Sequence, residues 1–105
     1  PELFCGFTKR SISRPVNYPV ACSPQAWAAG SIFMILQALL GIDVDATNNT
    51  VYVNNPMLPS WLKEVELHKM QVGKAALSLK FKRDGDITSL VVTEKMGTVR
   101  TVVTE

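Results

Sequence analysis

The chain has 105 residues, 47% of them hydrophobic, which is the make-up of one ordinary folded domain and excludes intrinsic disorder. Eleven basic residues against nine acidic leave a net charge of +2, too balanced for a nucleic-acid or anionic-membrane partner. Two cysteines, Cys5 and Cys22, are too few for a disulfide framework and lack partners at metal spacing.

Residues 1–22 predict a loop-rich, extended segment, because Pro15 and Pro19 remove backbone donors and keep the preceding residues out of the helical region. Leu3, Phe4 and Phe7 are the expected apolar anchors, while Lys9, Arg10 and Arg14 are expected to face solvent. The cysteines are expected reduced and buried in a cytoplasmic protein, a bridge between them being the alternative. The apolar run PELFCGF starting at Pro1 makes a poor exposed end, and the expectation is a piece of a larger protein. It does not have the pattern of a secretory signal, in which a basic region leads an apolar one.

Residues 23–41, SPQAWAAGSIFMILQALLG, predict one helix over 24–40. Ser23 is a suitable N-cap, Pro24 suits the first turn, and Gly41 can take the left-handed stop. No charge lies between these ends, and Trp27, Ile32, Phe33, Met34, Ile35, Leu36, Leu39 and Leu40 cover every azimuth. A helix that is apolar all round is expected to be buried all round, more than the remaining residues can supply. The uncharged run approaches the ~18–20 residues that span a bilayer. Two glutamines, two serines, a proline and the small-residue run AWAAGS favour protein packing instead.

The polar stretch around Asp43, Asp45, Asn48 and Asn49 predicts a connector, followed by a strand over 50–53. Asn54, Asn55, Pro56 and Pro59 break the chain, with Leu58 and Trp61 expected to lie down as a plug. Val65 and Leu67 alternate with Glu64, Glu66 and His68 in a strand near 64–68, and Gly73 marks a turn or bulge. The clearest strand is 74–82, with Ala75, Leu77, Leu79 and Phe81 facing a core and Lys74, Ala76, Ser78, Lys80 and Lys82 facing water. Asp84-Gly85 signals a hairpin into a strand over 87–93, and Gly97 a turn into a last strand over 98–103. The last three strands are expected to form an antiparallel meander. The fold class is α+β, with one long buried helix followed by a small antiparallel β subdomain.

Chemistry is sparse. There is no phosphate-binding glycine loop, and the single histidine, His68, alternates outward on a strand. No metal and no other cofactor is expected. Most carboxylates lie on solvated strand faces or in turns. Glu2, among Pro1, Leu3, Phe4 and Phe7, is the exception, since partial burial raises a carboxyl pKa.

Two blocks, PELFCGF at 1–7 and YPVACSPQAWAAGS at 18–31, resemble the end of the catalytic domain in bacterial amylo-alpha-1,6-glucosidases, the glycogen-debranching type of glycosidase. LPSWLKEVEL at 58–67 and VGKAALSLKFKRDGD at 72–86 are similar to the β-rich tail of the same proteins. The resemblance implies a glucoamylase-like toroid of six helical hairpins, with residues 1–42 its terminal segment and 43–105 a C-terminal β subdomain. It implies that Glu2 matches the catalytic base, and that Trp27 and Gln25 are candidates for stacking on a sugar ring and hydrogen-bonding its hydroxyls. The implied partners are the upstream catalytic domain of the same protein and a glucan or oligosaccharide. The 105 residues alone are expected to be inactive and, with the helix unaccompanied, to self-associate. The alternative is a stand-alone β-rich interaction or carbohydrate-binding module.

Overall fold

In the computed structural model, residues 8, 10, 20, 22 and 24–104 are described. The fold class is α+β: one helix, α1 (Ala26–Leu40), precedes six strands, β1 (Ile42–Asp45), β2 (Thr50–Asn54), β3 (Glu64–Val72), β4 (Ala75–Asp84), β5 (Ile87–Met96) and β6 (Arg100–Thr104). The chain divides into two compact units, residues 1–35 and 36–105, the division falling inside α1.

In the first unit, α1 opens with the Ala29 amide donating to the Gln25 carbonyl at 3.0 Å, two residues later than the cap at Ser23 would have set it. The proposed cap itself lies outside the described residues, as do Leu3, Phe4 and Phe7. Arg10 is exposed. Cys22 is a free thiol and exposed, which corrects the expected burial; Cys5 lies outside the described residues. The helix, suited to burial all round, is not buried by this chain, which was expected to lack the cover it needs. Trp27, Ile32, Phe33, Met34 and Ile35 are all exposed, with Phe33 at 71%, whereas Ala28 is buried. Uniform apolarity therefore marks what this helix is suited to, not what this chain supplies.

The second unit begins with the last turn of α1, where Gly41 (φ 61°) stops the helix as expected. Two helix-end acceptors are satisfied from the chain that follows: the Met57 amide donates to the Leu39 carbonyl at 2.8 Å and the Asn54 amide to the Gly41 carbonyl at 2.9 Å. Asp43 and Asp45 lie on a strand and not in a connector, because β1 pairs antiparallel with β2 from Ile42 opposite Val53 to Asp45 opposite Thr50. Pairing overrides the poor strand propensity of aspartate. The turn between them is built by Asp45, whose Oδ1 accepts the Asn48 amide at 3.0 Å and whose Oδ2 accepts the Asn48 side-chain amide at 2.6 Å. Those two bonds hold the Asp45 carboxyl below its usual range.

The six strands form two three-stranded sheets, in the orders β1-β2-β6 and β3-β4-β5. The antiparallel meander is β3-β4-β5, and β6 is not part of it. After Gly97 (φ 79°) the chain leaves that sheet and β6 runs parallel to β2, Thr50 opposite Arg100 through Asn54 opposite Thr104. A parallel neighbour needs a crossover connection, here the whole β3-β4-β5 sheet. The Arg100 amide donates to the Asn49 carbonyl at 2.8 Å and the Asn55 amide to the Thr104 carbonyl at 2.8 Å, fastening both ends of this pairing.

One apolar cluster joins the two sheets: Val51 and Val53 of β2, Val72 of β3, and Ala75, Leu77, Leu79 and Phe81 of β4, with Leu40, Ile42, Leu58 and Val99 around them. Leu58 takes the expected buried place. Trp61 does not: it is 78% exposed, because residues 55–63 turn only Leu58 fully inward.

Candidate functional site

The residues singled out for chemistry are not gathered by the described structure. Glu2 lies outside the described residues. Gln25, half-buried, precedes the helix, and Trp27 follows in its first turn, 57% exposed. Two residues apart on a helix start, they point in different directions. Core packing, the commoner fate of a helical indole, is therefore not that of Trp27.

The densest chemistry among the described residues is on the outer face of β3-β4-β5. Register places Glu64 opposite Lys82 and Glu66 opposite Lys80. Lys80 Nζ lies 2.5 Å from Glu64 Oε1 and 2.6 Å from Glu66 Oε1, and His68 Nε2 lies 3.1 Å from Glu66 Oε2. The Lys80 hydrogen bond and charge hold Glu66 below the usual glutamate range, and the two glutamates raise Lys80 above its own. The expected solvated lysine is thus half-buried between two carboxylates, while His68 is exposed as its alternation predicted.

Beside this ladder the expected solvated face of β4 closes over. Ser78 is only 3% exposed and sits between two bulges. On one side β3 shifts register between Leu67 and Met70, with Lys69 in the left-handed region (φ 50°); on the other, β5 shifts opposite Ser78 and Leu79. The Ser78 hydroxyl accepts the Lys69 amide at 3.0 Å and donates to Glu94 Oε2 at 3.3 Å. The hydroxyl gives its one proton to Glu94 and accepts from Lys69, and so tethers the two bulges. Alternation along β4 gave no sign of this, since the extra residues of both bulges lie in its neighbours β3 and β5.

Among the described residues no three His, Cys, Asp or Glu side chains come together as a metal site would require, and no helix is long and apolar enough to cross a membrane. No protein-family model, curated protein or solved structure matches this chain.

Proposed function

We propose that these residues are the C-terminal part of a glycogen-debranching-type glycoside hydrolase, in which α1 completes a helical toroid and the strands form a supporting β subdomain. The observation that carries the reading is the set of exposed apolar side chains around α1, Trp27, Ile32, Phe33, Met34 and Ile35, which calls for cover by another polypeptide. The sequence blocks PQAWAAGS and LPSWL support it.

In that enzyme Glu2 is the general base of an inverting hydrolysis. A carboxylic acid elsewhere in the enzyme protonates the departing glycosidic oxygen. The Glu2 carboxylate, about 6.5–9.5 Å away, takes a proton from the water that attacks the opposite face of the anomeric carbon. Trp27 stacks on a sugar ring and Gln25 bonds its hydroxyls. The 105 residues alone hydrolyse nothing.

The test has two arms. The isolated chain is assayed against maltooligosaccharides and limit dextrin, where turnover overturns the reading. In the complete enzyme Glu2→Gln lowers kcat by about 10²–10⁴-fold, and unchanged turnover removes Glu2 from the role.

One observation favours the second reading, a sugar-binding β module: Trp61 is exposed. Titration with glycogen decides it. Saturable quenching of indole fluorescence that Trp61→Ala abolishes would establish binding by the isolated chain.

A further inference from the structure

Among the described residues, four strands lie at sheet edges, and three of them carry guards against pairing. β1 is four residues long and holds Asp43 and Asp45; β6 is five residues long and begins at Arg100. β3 carries Glu64, Glu66, His68 and Lys69, and a bulge bends it. Shortness, charge and bulges are the devices by which natural sheets stay single. β5 lacks all of them over most of its length. Its residues 87–93, ITSLVVT, contain no charge, proline or glycine, and from Ile87 to Val92 it pairs with β4 without irregularity.

The strand is also nearly its own complement. Ile87, Ser89 and Val91 lie opposite Asp84, Lys82 and Lys80, on the outer face of β4, with Ile87 and Val91 exposed by 74% and 53%. The outer face of β5 thus reads apolar, serine, apolar. An antiparallel copy centred on Ser89 sets each Ile87 against a Val91 and the two serines against each other. Centring on Leu90 would set Ile87 against Thr93, the residue displaced by the bulge.

We propose that β5 is a homotypic pairing edge, joining antiparallel to β5 of a second copy of this chain about a twofold axis at Ser89, so that two meanders make one six-stranded sheet. The pairing is independent of the glycosidase reading.

Cysteine cross-linking tests it, in a chain carrying Cys5→Ser and Cys22→Ser. Directly opposed antiparallel residues have Cα atoms about 4.5–5.5 Å apart, within the span of a disulfide. Ser89→Cys should convert to a covalent dimer on mild oxidation. Ile87→Cys, whose two copies lie four residues apart along the ladder, should cross-link several-fold less. Adding Ile87→Lys and Val91→Lys to the Ser89→Cys chain should abolish its cross-link, whereas adding Phe33→Lys on α1 should leave it unchanged. Equal yields at the two positions, loss of the cross-link with Phe33→Lys, or an uncrosslinked chain sedimenting as an 11.6 kDa monomer would overturn the proposal.

Discussion

Gly41 lies against the backbone of Asn54: a Cβ built on it would overlap the Asn54 carbonyl oxygen and stand 2.8 Å from the carbonyl carbon. Gly41 holds the left-handed conformation that ends α1, and its carbonyl accepts the Asn54 amide. Helix stop and strand β2 are thus locked together at one position where only glycine fits.

Gly41→Ala should therefore destabilise the chain by about 3 kcal/mol or more, through the left-handed penalty plus displacement of β2 backbone. Gly85 has nearly the same φ, 60°, but nothing within 4 Å of its missing Cβ. Gly85→Ala should cost only about 1 kcal/mol, the conformational part alone. Urea unfolding of the two variants separates the effects, and equal losses would show that the Asn54 contact does not matter.

Ser78 makes a second, local prediction. Ser78→Ala removes the acceptor of the Lys69 amide at a bulge whose φ of 50° already disfavours a side chain. A loss of about 1–3 kcal/mol is expected from the orphaned donor. Hydrogen exchange at the Lys69 amide should accelerate, while the Leu79 amide, away from the bulge bond, should change less.

The Glu64–Lys80–Glu66 ladder gives a pH window. The Glu66 pKa is lowered on folding, so its contribution is present above the ordinary glutamate value of 4.5 and is lost as pH falls through the depressed folded value. The Lys80 pKa is raised, so its contribution is present below 10.5 and is lost as pH rises through the folded value. Between these limits Glu66→Gln should unfold at lower urea than the native chain, and the gap should close as pH falls below 4.5 and through the depressed folded value of Glu66. High salt should also narrow it, because these groups are in contact with solvent.

Much of this architecture was legible from residue patterns. The alternation of Ala75, Leu77, Leu79 and Phe81 placed β4 and its core face, and Gly41, Gly73 and Gly85 marked turns that the chain does take with positive φ. What escaped was set by tertiary pairing. Asp43 and Asp45 do not announce a strand; β1 exists because β2 is there to receive it. Nothing local in residues 95–99 tells whether the chain folds back or crosses over, so the pattern alone does not separate β6 from the meander. Paired bulges hid the burial of Ser78, and the apolar run of α1 gave the need for cover without its source. Of the candidate site, Trp27 and Gln25 can be placed at the helix start, and Glu2 lies outside the described residues.

The central claim is that the apolar surface of α1 is made to be covered by another polypeptide. Thiol labelling of Phe33→Cys, with Cys5→Ser and Cys22→Ser, measures this at the most exposed large side chain of the helix. In the dilute 105-residue chain a maleimide should react at close to the rate of a free thiol. In the longer glycosidase proposed above the rate should fall at least about a hundredfold, the protection given by a local opening that costs ~3 kcal/mol. Equal rates in the two proteins would contradict the account.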